Sequence, residues 1–380
     1  MKTSKKLVAL LLVFVVCASA LVACGSKSTN TTTTTTNTAA TTTTNTAAAT
    51  TTTNNTAAAT TTTNTAAAGN TVTSNMVENV TPEIVKLAGT SPIKFAVTLQ
   101  NTSNPFFTEI KVGLQEAIDA LGNGSTLDVY DANTDINKQV SDMEDAINKG
   151  INVLFVNSVD STGVNPAIEE AHKAGVICIA IDTPLDDPSL LATTVASDNY
   201  QAGVLCADNL ATAINSTGNL GAYCVSINKV AKLRADGFSE TITKSYPNMK
   251  IVNTQEGTAG SADASLPCME AILQANPDIV GQFALNDPSA QGCISAIEAA
   301  NKIDQIKVVG IDGSKEAKAL IKEGKQLGSS AQFPGKMGTL SVIAAVEALA
   351  GQKLQEHTYI QTIWCNKDNC DTMKNYDYDN

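Results

Sequence analysis

Arg234 is the only arginine of the 380-residue chain; the other 24 basic residues are lysines. A guanidinium is a rigid planar fork of donors that can hold two oxygens at once, whereas a lysine ammonium is a flexible point charge. A chain that otherwise uses lysine raises the question of what this position has to grip, although a surface arginine left by chance satisfies the same count. The residues that could answer it follow short apolar runs: Gln100 and Asn104-Pro105-Phe106-Phe107, Asp182-Thr183, Asn286-Asp287, Asp312 and Gln332. Amides, carboxylates, one guanidinium and two phenylalanines make up the inventory for a neutral polyhydroxylated ligand. Carboxylates and amides take neighbouring hydroxyls in pairs, and an aromatic ring covers an apolar C–H face. Taken singly, each could be a turn or cap residue, as Asp182 before Thr183-Pro184 could begin a turn. Their shared placement carries the reading.

That placement depends on the elements. From about Pro92 the chain alternates short apolar runs with amphipathic stretches. The spacing predicts strands at 93–99, 151–156, 176–181, 221–227, 249–254, 279–284, 306–311 and 326–331. Helical spacing lies between them, as in Ile110, Leu114, Ile118 and Leu121, or Val140, Met143 and Ile147. Lys149-Gly150, Ala174-Gly175 and Glu323-Gly324 read as helix stops, and Asp287-Pro288 as an N-cap followed by proline. Arg234 is expected to open the helix after 221–227. Nearly continuous apolar strands alternating with helices mean an α/β fold with parallel sheets covered on both faces. In such sheets ligands bind beyond the carboxyl ends of the strands, where the residues above fall.

Upstream of Pro92 the chain changes character. Lys2, Lys5 and Lys6 precede the apolar run from Leu7 to Val16, too short for a comfortable membrane span, so residues 1–23 read as an export signal. Leu21-Val22-Ala23-Cys24-Gly25 looks like a bacterial lipobox, implying cleavage before Cys24 and a diacylglycerol on its sulfur; the alternative is an ordinary secretory signal with an incidental cysteine. Each buried lipid methylene contributes roughly 0.8 kcal/mol, so several acyl chains would hold the chain firmly at a membrane. Residues 24–91, dominated by a Thr/Asn/Ala tract, have too little apolar surface to build a core. They are expected to form a disordered tether, a coil of roughly 45 Å end to end.

Charge and cysteine usage exclude several classes. Losing residues 1–23 removes three lysines and no acids, leaving 22 basic against 37 acidic residues and a formal charge of −15. Nucleic acid and charge-driven binding to anionic lipid are therefore not expected as partners. With Cys17 cleaved and Cys24 lipidated, seven cysteines remain, too odd a number to pair completely. Cys178 and Cys224 sit in apolar runs as core residues, while Cys365 and Cys370 could form a local disulfide. Two histidines, His172 and His357, and no compact Cys/His cluster argue against a metal, and no cofactor is expected.

With these residues in hand, the chain from about 92 to 362 resembles the periplasmic ribose-binding protein family, the sugar-binding components of ABC importers. The resemblance rests on Asn104-Pro105-Phe106-Phe107, Ile181-Asp182, Ala196-Ser197-Asp198-Asn199, Arg234-Ala235-Asp236-Gly237-Phe238, Phe283-Ala284-Leu285-Asn286-Asp287, Val309-Gly310-Ile311-Asp312-Gly313 and Ala331-Gln332. It implies two Rossmann-like lobes, 92–197 with 333–361 and 198–332 with 362–380, joined by three crossings near Asp198, Gln332 and Thr362. It also implies that Asn104, Phe106, Phe107 and Asp182 line a pocket from the first lobe and Arg234, Asn286 and Asp312 from the second, with Gln332 at the hinge. Gln100 and Thr183 are further candidates. A phenylalanine would stack on the sugar, and the Arg234 charge would be balanced by Asp182 or Asp312. The chain departs from ribose-binding members at Thr183, where arginine is usual, at Gly257-Thr258-Ala259-Gly260-Ser261-Ala262, which lacks an aromatic, and at Ile311. These departures point away from ribose itself toward a larger or differently substituted sugar.

The function expected is an extracytoplasmic lipoprotein, monomeric and held at the bacterial membrane, that hands a monosaccharide to an ABC permease. A sensor presenting the ligand to a chemoreceptor or membrane kinase would have the same pocket. A glycosidase using Asp182 and Asp312 is a third reading, but both serve better as hydroxyl acceptors, and His172 and His357 complete no Ser/His/Asp set. A repressor would carry a DNA-binding module where this chain has a leader and tether.

Overall fold

The computed structural model describes the backbone of residues 70–72 and all atoms of residues 80–375. The first half runs β1 (Asn70–Val72), α1 (Pro82–Ala88), β2 (Lys94–Leu99), α2 (Pro105–Ala120), β3 (Thr126–Asp131), α3 (Ile136–Asn148), β4 (Val153–Val156), α4 (Asn165–Lys173), β5 (Ile177–Ile181) and β6 (Thr193–Ser197). There follow α5 (Asn199–Ala213), β7 (Gly218–Cys224), α6 (Lys229–Ser245), β8 (Met249–Glu256), α7 (Ala262–Ala275), β9 (Ile279–Ala284), α8 (Asp287–Ala299), β10 (Lys307–Asp312), α9 (Lys315–Lys322) and β11 (Gly328–Ala331). The chain closes with α10 (Pro334–Leu349), β12 (His357–Ile360) and β13 (Ile363–Cys365).

Two sheets result. One has the order β1-β12-β6-β5-β4-β2-β3 and is parallel throughout; the other has the order β13-β11-β10-β9-β7-β8 and is parallel except for β13. The continuous apolar runs are explained by covering on both faces. Phe95, Val97, Val153, Phe155, Ile179 and Ile181 pack with residues of α2 and α10. Their alternates Ala96, Leu154, Val156, Cys178 and Ala180 pack with α3 and α4. A second core joins β7, β9 and β10 to α5 through α8.

Three crossings join the lobes and are stitched to one another. The Asp198 amide donates to Ile360 O at 2.8 Å. The Gln201 side chain donates to Thr362 O at 3.2 Å and accepts from the Thr362 amide at 3.0 Å. Ser330 and Thr362 share a hydroxyl bond of 2.8 Å. The crossing at 332–333 thus lies beside strands tied to the other two.

Several expectations are corrected. Ordered chain begins before residue 92: α1 has Thr81 as N-cap and Pro82 in its first turn. Val80, Ile84 and Ala88 pack on the first core, and β1 pairs with β12, so enough apolar contact exists to order this part of the tether. The leader, the lipobox with Cys24, and tether residues 24–69 and 73–79 lie outside the described residues. Strand β7 spans 218–224 rather than 221–227, because Asn228 caps α6 and residues 225–228 turn. Arg234 consequently stands in the second turn of α6 instead of opening it. Asn286, not Asp287, caps α8; its side chain accepts from the Ser289 amide at 3.0 Å. The glycine stops stand as read: Gly150, Gly175 and Gly324 take φ of 70°, 77° and 77°. Cys365 and Cys370 are not joined in a disulfide; both are buried in a small cluster with Ile321 and Ala331.

Candidate binding cleft

Arg234 is placed by a helix–helix contact that only glycine permits. A Cβ on Gly203 of α5 would lie 2.1 Å from the Arg234 carbonyl oxygen, and one on Gly237 of α6 would lie 2.1 Å from Tyr200 O. The two backbones therefore touch, which sets the side chain of Arg234 against the first turn of α5. Gly203→Ala is expected to destabilise the fold by about 1–3 kcal/mol through overpacking, read as a lowered thermal midpoint. It should also weaken ligand binding, because Arg234 moves with its helix.

Arg234 is 6% exposed. Its Nε donates to Asn199 Oδ1 at 2.8 Å, one terminal nitrogen donates to Leu285 O at 3.1 Å, and the same nitrogen lies 3.5 Å from Asp312 Oδ1. Of the two balancing carboxylates expected, Asp312 is the one in ion-pair contact. Asp312 also accepts from Gln332 Nε2 at 2.7 Å, and its carbonyl accepts from the Gln332 amide at 2.9 Å. Burial raises the Asp312 carboxyl above its ordinary range, opposed by Arg234 and the Gln332 bond.

Asp182 faces this group from the first lobe. Its Oδ2 accepts from Asn157 Nδ2 at 3.2 Å and from the Thr183 hydroxyl at 3.1 Å. Burial pushes its carboxyl up to about 6; the Arg234 charge opposes this, followed by the Thr183 bond, while the Asp312 charge adds to it. Those influences connect side chains carried by different sheets. Asp182 and Asp312 are also both at positive φ, 65° and 132°. An L-residue held there carries local strain that the surroundings must offset, and such strain concentrates at ligand sites. Around Asp182 a tight turn from the Thr183 amide to Ile181 O (2.7 Å) does so. Around Asp312 the side chain of Asn375 donates to the carbonyls of Asp312, Gly313 and Gln332.

The remaining candidates divide. Gln100 donates to the Thr183 hydroxyl at 3.1 Å, which joins both to the Asp182 group. Phe106 and Phe107 are 8% exposed each, meet edge to face at 5.7 Å, and belong to the first lobe's core. Asn104 is exposed and caps α2 by accepting from the Phe106 amide. Asn286 is engaged at both ends, donating to Gly260 O and accepting from Ser289. Among the described residues no three His, Cys, Asp or Glu side chains form a group suited to a metal ion.

Two α/β lobes with facing polar strand ends are the architecture of a known family, and the sequence agrees. The family model described as "Periplasmic binding protein domain" matches residues 95–353. The chain belongs to this family. It is 35% identical over 267 residues to the ribose import binding protein of Bacillus subtilis (strain 168), covering 68% of this chain and 83% of that one. It is 30% identical over 243 residues to the D-apiose import binding protein of Actinobacillus succinogenes, covering 63% and 76%. Among solved structures, an ABC transporter periplasmic solute binding protein from Actinobacillus succinogenes 130z with bound D-allose superposes with a TM-score of 0.69. The two chains are 27% identical, with 74% of this chain and all of that one covered. Such relatives are solute-binding components of importers and not enzymes, so the glycosidase reading falls.

Two residues of this binding protein's cleft, Asn157 and Asn199, were missed from sequence, and a third, Asp287, was read there as a helix cap. Asn157 is wholly buried and bonds the Gln100 amide, Asp182 and Thr183. It directly follows β4, so reading the residue after that strand as well would have found it. Asn199 holds the Arg234 Nε and follows β6, a strand that went unrecognised. Asp287 lies behind Asp312 and accepts from the Ser329 hydroxyl at 2.7 Å, the Ser314 amide and Gln326. Burial, with the Asp312 charge next, raises its carboxyl well above the ordinary range. A buried and a half-buried carboxylate stacked behind one guanidinium have no sequence signature.

Proposed function

We propose that this protein is an extracytoplasmic binding lipoprotein that captures an uncharged monosaccharide or related polyol between two lobes and delivers it to the permease of an ABC importer. The lobes would comprise α1 and 92–197 with 333–361, and 198–332 with 362–380. The observation that carries this reading is a complementary pair left over in the cleft. Both hydrogen bonds of Asp182 fall on Oδ2, and the two donors of Arg234 in use are Nε and a single terminal nitrogen. Asp182 Oδ1 can therefore accept from hydroxyls while the second terminal nitrogen of Arg234 donates to them. Asn104, Phe106, Phe107, Asn286, Asp312, Gln332, Gln100 and Thr183 would complete the lining.

One guanidinium against the carboxylates of Asp182 and Asp312 makes the site net negative when both are ionised, so phosphorylated and acidic sugars are disfavoured. Titrating D-ribose, D-allose, D-arabinose, myo-inositol and ribose 5-phosphate against the thermal midpoint tests this. A rise with at least one neutral polyol and none with the phosphate is expected; a rise with the phosphate alone would overturn the assignment.

The membrane attachment proposed at Cys24 has its own test. Cys24→Ser is expected to move the protein from the membrane fraction to the soluble one, and a variant that still sediments with membranes would refute the anchor.

A further inference from the structure

The loop between β5 and β6 and the helix α6 meet twice. At the inner meeting Asp182 lies within electrostatic reach of Arg234. Four residues along the same loop, Asp186 forms an ion pair with Lys229, five residues before Arg234 on the same helix. The inner residues are buried, whereas the side chains of Lys229 and Asp186 are 48% and 40% exposed, which puts the outer pair at the solvent edge.

Three features separate this pair from ordinary surface contacts. First, Lys138–Asp142, Lys173–Glu169, Lys232–Asp236 and Lys244–Glu240 each link one turn of one helix to the next. Lys229–Asp186 instead joins segments carried by different sheets. Second, Asp186 is held in position before Lys229 reaches it. Its carboxylate accepts from the Ser161 hydroxyl at 2.8 Å and the Thr162 hydroxyl at 2.5 Å, and its amide donates to Ser161 O at 3.2 Å. Lys229, then the Thr162 and Ser161 hydroxyls, lower its carboxyl to about 2, so it is ionised at any working pH. Third, Lys229 breaks a local rule. It is the first residue of α6, at the positive end of the helix dipole, and the first turn of α6 contains no acidic residue. A local conflict of this kind marks a position chosen for something other than helix stability. The missing carboxylate arrives from the opposite lobe.

We infer that Lys229 and Asp186 form a latch on the rim of the cleft, a pair of positioning residues that biases the lobes toward closure without touching the ligand. This rests on the reading that the lobes close over a sugar. The latch and the pocket sit on the same two segments, so any motion that brings Arg234 to Asp182 brings Lys229 to Asp186. An exposed ion pair is a weak tie, which suits a device that must release its cargo.

The test is single-molecule energy transfer between dyes on Glu170→Cys and Lys244→Cys in a Cys268→Ser background, one dye on α4 and the other on α6. Lys229→Met and Asp186→Asn are each expected to lower the closed population of the ligand-free protein about two- to fivefold at low salt. They should also abolish the fall that about 1 M sodium chloride causes in the parent, since the pair is screened at that ionic strength. The exchanged variant Asp186→Lys/Lys229→Asp should recover most of the closed population. Unchanged populations in both single variants, or an exchange that recovers nothing, would overturn the latch. Adding D-ribose, D-allose and myo-inositol to the parent judges the other reading independently. A latch that responds to salt and charge exchange in a protein closed by none of these polyols would stand while the sugar assignment fell.

Discussion

Arg234→Ala is expected to reduce sugar affinity by at least about 100-fold and to leave a folded protein. The substitution removes the charge-assisted bonds proposed between Arg234 and the ligand, each contributing roughly 1.5–3 kcal/mol. It also strips the cation from between Asp182 and Asp312, both of which are held above the ordinary carboxylate range even with Arg234 present. Without it, each carboxyl shifts further up and takes a proton more readily, so the acceptors that remain are neutralised as well. Arg234→Lys should recover little. An ammonium cannot reach Asn199 Oδ1, Leu285 O and the ligand together, as the guanidinium fork can. Calorimetric titration with the sugar found in the thermal screen provides the measurement. A lysine variant within a few-fold of the parent would mean that planarity is not what the site uses. The stability of Arg234→Ala should also be lower relative to the parent at about pH 8 than at about pH 5.5, because two uncompensated carboxylates largely shielded from water are costly only while ionised.

How far such a site can be read from sequence follows from which interactions are local. Asp182, Arg234, Asp312 and Gln332 converge because each lies at or shortly beyond the carboxyl end of a parallel strand or in the helix after it, a geometric consequence of the fold. Strands with large aliphatic runs, such as Ile177–Ile181, announce themselves. Thr193–Ser197 does not: its five residues are all buried, but they are small or polar, and they form a strand because β5 and β12 pair on either side. Missing that strand hid Asn199. Thr126–Asp131 is an edge strand, incompletely buried along its length, and its polar alternation gave no apolar run to see. The start of the fold was placed too late because α1 is a seven-residue helix with no fully buried residue, secured by contacts with α10 far along the chain. Asn286 shows the converse. Its amide oxygen caps α8 through Ser289 and one amide hydrogen holds Gly260 O, duties its place at the sheet edge did not announce, with the second amide hydrogen remaining for the proposed ligand contact. Strain at Asp182 and Asp312 was equally invisible, since only backbone angles reveal it.

Acidification should separate the stability of this protein from its affinity, with Asp182 as the cause. Its carboxyl is raised from an ordinary 3.8 to about 6 by burial, so between these values the folded chain binds more protons than the unfolded one. Stability then falls as pH rises through that window: the contribution of Asp182 is fully present below about 3.8 and lost once pH passes about 6. Ligand binding runs the other way. A protonated Asp182 loses acceptor capacity on Oδ1 and no longer balances Arg234, so affinity should fall up to about tenfold per pH unit below 6 and level off above it. Asp182→Asn is expected to bind at least about tenfold more weakly at neutral pH, to lose this pH dependence, and to melt no lower than the parent at pH 7, since it removes a buried charge. Thermal melts and titrations from about pH 5 to 8 measure both quantities on the same protein. An affinity that stays level from pH 7 to 5 would mean that the carboxylate at 182, raised by burial to about 6, does not hold the ligand.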